Sequence, residues 1–187
     1  MYFLQPSQRR LLNSLNPIFV VMALLLLVLV RTTSHGVVPG LFNSWDVLLP
    51  VIVYFGQRRP IVEGLILTLF TSHIYSLCSA APIGVFTLNY LFIFLLARLV
   101  SYVVYANTLL SIFALLFGFV LLSRFSLPIV AGFFGHGWPI FSWANLRLLS
   151  VPWNAILGFT VYILVSWLDR VTFKAPRANI ELSEDNL

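Results

Sequence analysis

The sequence predicts an all-α, polytopic membrane protein of about six transmembrane helices. Three observations lead there: 60% of its 187 residues are hydrophobic, only 9% are charged, and the mean hydropathy is +0.96. A soluble domain of this length usually carries about 25% charged residues. A hydrocarbon core roughly 30 Å thick takes about 20 apolar residues per helical span, so five or six spans with short loops use nearly the whole chain. The organisation expected is a six-helix transmembrane domain over residues 1–173. A polar tail over 174–187, acidic through Glu181, Glu184 and Asp185, is expected to be disordered.

Hydropathy windows place the helices near Leu12 to Val30, Val47 to Gly56, Ile61 to Ser79, Gly84 to Tyr105, Leu109 to Phe134 and Val151 to Leu168. The first run follows Arg9 and Arg10, as a secretory signal would. It continues into Arg31-Thr32-Thr33-Ser34-His35-Gly36 with no small-x-small cleavage pattern, and reads as a retained first helix. Pro17 falls in its first turns and Pro60 just ahead of the third helix, positions where a missing amide costs little. Pro82-Ile83-Gly84 makes a tight turn between the third and fourth helices. The stretch from Gly135 to Ser150 is aromatic and weakly amphipathic, so it is expected at the outer interface with Trp138 and Trp143 as belt anchors.

The second segment is the weak one, because Val47 to Gly56 covers only about 15 Å as a helix. Either it borrows residues from Val37 onward despite Pro39, Asn43 and Asp46, or the membrane is thinned there, or the segment lies deep inside the protein. Asp46, following Ser44, fits an acid that opens a helix. If the segment crosses, one side receives Arg9, Arg10, Arg58, Arg59, Arg170, Lys174 and Arg177, and the other Arg31 and Arg147. That bias predicts cytoplasmic N- and C-termini. Arg98 and Arg124 lie inside apolar helices, where the plain expectation is snorkelling to the nearer face.

The net charge of +5 forms no basic face, since the arginines are scattered between apolar runs. Nucleic acid is therefore not expected as a partner, and the charge reads as orientation against membrane lipid. Cys78 is the sole cysteine and reads as a small packing residue. His73 sits in the polar stripe Thr71-Ser72-His73-Ile74-Tyr75-Ser76, expected to hydrogen-bond a neighbouring helix. Glu63 opens the third helix beside Arg58 and Arg59 and needs no catalytic task to be stable there. His35 and His136 have no acidic or cysteine companions at metal-ligand spacing. The sequence holds no glycine-rich phosphate loop, no nucleophile elbow and no pair of intramembrane carboxylates, so neither an enzyme nor a cofactor is expected.

Three stretches carry a likeness to a known family. They are Trp45-Asp46-Val47-Leu48-Leu49-Pro50-Val51-Ile52-Val53-Tyr54 with Arg58-Arg59-Pro60, Ala81-Pro82-Ile83-Gly84-Val85-Phe86-Thr87-Leu88-Asn89-Tyr90, and Val151-Pro152-Trp153-Asn154-Ala155-Ile156. With these the chain resembles the rod shape-determining MreD family, whose members often carry an acid near the end of the third helix where this chain has Tyr75, Ser76 and Cys78. The resemblance implies a bacterial inner-membrane subunit of the elongasome, the complex that organises lateral peptidoglycan synthesis in rod-shaped cells. It implies MreC as the partner, with links to RodA, a penicillin-binding transpeptidase and MreB, and a fold similar to the substrate-binding components of energy-coupling-factor transporters. A scaffold of that kind places its contacts at Asp46, Pro50, Arg58 and Arg59, with Pro82 and Gly84 at the hinge. The alternative is a vitamin-like small-molecule binding subunit of a transporter, with a pocket from His73, Ser72, Tyr75, Ser76 and Asn89.

Overall fold

A computed structural model describes residues 6–34, 45–79, 82–104, 108–134 and 148–172. These form six α-helices: α1 (Pro6–Ser34), α2 (Leu48–Arg58), α3 (Ile61–Leu77), α4 (Val85–Val103), α5 (Leu109–Phe133) and α6 (Val151–Val171), the last preceded by a 3₁₀ turn, Leu148–Ser150. All six stand where the hydropathy windows put them. Four of them, α1, α4, α5 and α6, are long and apolar enough to cross a membrane, and α3 is a shorter apolar helix. Residues Val37 to Asn43, His35, His136, Trp138, Trp143, Arg147 and the tail from Lys174 lie outside the described residues, so the expectations placed on them find no counterpart here.

Local chemistry sets the helix ends. α1 begins at Pro6, earlier than expected, so Pro17 lies inside the helix and not in its first turns. Pro60 directly precedes α3, and its carbonyl accepts the first helical bond, from Gly64 N at 2.8 Å. The turn after α3 closes with Val85 N donating to Pro82 O (3.2 Å) and with Gly84 at φ +99°, a conformation that side chains with a Cβ rarely adopt. α5 opens with a reciprocal cap: Thr108 Oγ1 accepts from Ser111 N, and Ser111 Oγ accepts from Thr108 N, each at 3.2 Å. Pro152 occupies the first turn of α6, where its missing amide is harmless.

Helices α1, α3, α4, α5 and α6 follow one another round the bundle, each touching the next, with α6 closing on α1. α2 lies inside this ring, packed on α3, α4, α5 and α6. Every residue from Leu48 to Gly56 is buried, so this helix, about 16 Å long, has no lipid-facing side. Of the three explanations for its shortness, the structure realises the last, burial deep in the protein.

Polar contacts fix the directions of the helices. Asp46 at the start of α2 meets Asn154 at the start of α6, and Arg59 after α2 meets Asp169 at the end of α6. α2 therefore runs parallel to α6 and brings Arg58, Arg59 and Arg170 to the same end of the bundle. On α6, Trp153 and Trp167 are 55% and 60% exposed. They stand about 21 Å apart along the helix, as amphipathic rings at two membrane interfaces would.

Candidate functional site

A short helix inside a bundle must satisfy both its ends without water. At the first end of α2, Asp46 Oδ1 accepts from the main-chain amides of Leu48 and Leu49, each at 3.2 Å. The acid expected to open this helix does so, and its charge sits at the positive end of the helix dipole. Tyr90 from α4 donates its hydroxyl to both carboxylate oxygens at 2.8 and 2.9 Å. The amide of Asp46 donates to Asn154 Oδ1 (3.0 Å), and Asn154 Nδ2 donates to Ser150 O (2.8 Å). Arg124 from α5 reaches the same turn, giving a hydrogen bond to Ser150 Oγ at 3.1 Å.

Removing Asp46 therefore does two things: it uncaps α2 and takes away both hydrogen bonds that Tyr90 gives to the carboxylate. Asp46→Ala is expected to lower stability by about 2 kcal/mol, roughly half from the cap and the rest from the lost bonds to Tyr90. Asp46→Asn keeps an acceptor and loses less. Chemical denaturation in detergent, followed by circular dichroism, checks the order.

The other end of α2 is held by charge. Arg59, 1% exposed, places Nη2 at 2.5 Å from Asp169 Oδ1 and Nη1 at 2.5 Å from Glu63 Oε1. Asp169 also accepts from Tyr54 OH at 2.6 Å and from Asn16 Nδ2 at 2.9 Å, so one carboxylate ties α1, α2 and α6 together. Tyr162 on α6 donates to Gln57 Oε1 at 3.1 Å with Arg58 beside it.

Arg98 was expected to snorkel. It is instead 6% exposed, and its Nη1 donates to the carbonyls of Arg59 (3.0 Å) and Gly56 (3.4 Å). These are main-chain acceptors at the negative end of α2, so the guanidinium acts as a C-cap delivered from α4. Close approach makes this possible. A Cβ on Gly56 would stand 2.7 Å from Ala97 Cβ and 3.0 Å from Phe94 O.

The residues singled out in the sequence are distributed between these layers. Pro50 is buried, in van der Waals range of where a Cβ on Gly158 would stand, and Arg59 is inside the ion-paired cluster. Asp46 and Arg58 are half-buried at opposite ends of α2, and Pro82 and Gly84 are half-buried in the turn before α4. The stretch around His73 divides. Ser72, Tyr75 and Ser76 are buried, while His73, about 100° round the helix from Ser72, is exposed on the outer face. Ser76 Oγ accepts from Gly84 N at 3.2 Å, and the Tyr75 ring meets Phe86 and Tyr90 edge-on. Asn89 turns instead to α5 and accepts from Ser126 Oγ at 2.6 Å. The five residues expected to line a pocket are thus not brought to one place, because His73 is on the outer face and Asn89 is paired with Ser126 of α5.

Asp169, Asn16 and Tyr54 were not singled out in the sequence. Asp169 stands next to Arg170 and reads as an ordinary charged helix end. The signal available was an asparagine inside the first span and a carboxylate inside the last, two polar groups each needing a partner in the membrane. Among the described residues no three His, Cys, Asp or Glu side chains lie together as metal ligands would.

No family model, curated protein or solved structure matches the chain.

Proposed function

We propose that this chain is a non-enzymatic scaffold subunit of the bacterial inner membrane, of the MreD kind, with cytoplasmic termini. It binds MreC and helps organise lateral peptidoglycan synthesis and rod shape. RodA, a penicillin-binding transpeptidase and MreB are its associates in the larger complex. The observation that carries this reading is how the bundle uses its interior polar groups: Asp46, Arg59, Arg98, Asn154 and Asp169 each hold one helix to another. A protein whose charges serve its own assembly is suited to a scaffold's task. The resemblance of the three stretches supplies the partner.

Burial moves the expected contact site. With Pro50 and Arg59 inside the ring, the parts of the proposed set left for MreC are Arg58 at one end, and Asp46 with the Pro82–Gly84 turn at the other. Co-purification with MreC from detergent-solubilised membranes is the test. Recovery of MreC with the wild-type chain, reduced by Arg58→Glu, is the expected result. An intact, folded chain that never associates with MreC rejects the reading.

A further inference from the structure

Ring helix α1 is held differently from its neighbours. Between residues 11 and 30 its buried side chains, Asn16, Val20, Leu24 and Val28, recur at every fourth position as one narrow stripe. Only 22% of its apolar window is buried, against 39% in α4, 33% in α5 and 39% in α6. In a bilayer this apolar packing discriminates weakly, because lipid tails cover Val20, Leu24 and Val28 about as well as α3 and α6 do. What is specific to the seat is Asn16.

The Asn16 amide donates to Asp169 Oδ1 and to Thr172 Oγ1, while its own Oδ1 is buried and, among the described residues, accepts nothing. The surroundings explain the mismatch. Asp169 offers only acceptor oxygens, and the Thr172 hydroxyl gives its own proton to Leu168 O at 2.9 Å. The seat calls for donors alone, whereas an asparagine brings an acceptor as well, and a buried acceptor left unpaired is costly.

We propose that α1 is the displaceable side of the ring and that its seat on Asp169 receives a partner's transmembrane helix carrying a basic side chain. Displacement uncovers Asp169, with Tyr54 and Arg59 of α2 behind it. This gives the buried central helix a lateral opening. On the scaffold reading, which this inference extends, the opening is the route by which a single-span partner reaches α2.

Distance measurement between two spin labels tests the proposal. Met22 on α1 and Leu164 on α6 are both exposed, so the labels sit on Met22→Cys and Leu164→Cys in a Cys78→Ser chain, reconstituted in lipid nanodiscs. The probe is a synthetic leucine–alanine transmembrane peptide with one lysine about six residues from its end, compared with the same peptide bearing leucine there. The lysine peptide is expected to raise the long-distance population at least about threefold, the leucine peptide to leave it unchanged, and Asp169→Asn to abolish the difference. Asn16→Leu, which removes the tie, is expected to raise that population without any peptide. A distribution that neither peptide alters, or that both alter equally, overturns the proposal. If that happens while MreC still co-purifies, the seat is rejected and the scaffold reading stands; if MreC fails to bind while the lysine peptide displaces α1, the reverse holds.

Discussion

Asp169→Leu is expected to destabilise the bundle by about 3–5 kcal/mol, the usual cost of removing one member of a buried ion pair. The loss is large because the carboxylate serves three donors at once. Without it Arg59, 1% exposed and already with an unpaired Nε, keeps Glu63 as its only carboxylate, and Tyr54 OH and the Asn16 amide lose the acceptor they share. The neutral Asp169→Asn is expected to fall in between, since one oxygen still accepts. Pairing the substitution with Arg59→Leu removes the stranded cation and is expected to restore part of the loss, because the two sites are in contact and cannot be additive. Denaturant titration of the four proteins in one detergent measures the coupling.

Gly56→Ala is expected to cost about 2–3 kcal/mol, at the upper end of what one added methyl group does in a packed interior. The new Cβ would meet Ala97 Cβ at 2.7 Å, Phe94 O at 3.0 Å and Arg98 N at 3.2 Å, and two of these three atoms are main chain. Rotamer changes cannot relieve them, so α2 and α4 have to separate. Separation also draws Arg98 away from the carbonyls of Gly56 and Arg59 that it caps. Gly56→Ala with Ala97→Gly removes the worst contact and leaves the main-chain ones, so partial recovery is the expected result. The melting temperature in detergent reads both steps.

The six helices were legible because their signals are local: apolar run length, Pro60 and the Pro82–Gly84 turn each act within a few residues. The acid cap at Asp46 was legible for the same reason, since its partners Leu48 and Leu49 follow it directly. The Asp169 cluster was not. Its members come from residues 16, 54, 59 and 169, and nothing in a single sequence says that the first and last spans meet. Arg98 was misread because snorkelling is the default for an arginine near a helix end, and the alternative needs an uncapped helix end at the same depth. That end existed only because α2 stops short inside the ring. His73 was grouped with Ser72, Tyr75 and Ser76 by adjacency in sequence, whereas the helix turns it about 100° from Ser72 and about 160° from Tyr75, onto the exposed face.

The burial of α2 also bears on how the chain is made. A segment of 11 helical residues flanked by Asp46 and Arg58–Arg59 partitions poorly into lipid by itself, and it leaves the ribosome before α3, α4 and α6, three of the helices that will enclose it. The groups that satisfy its ends, Tyr90 and Arg98 of α4 and Asp169 of α6, all come from later segments. The sixth helix supplies the carboxylate that closes the cluster, so the second is fully partnered only once the sixth is in place.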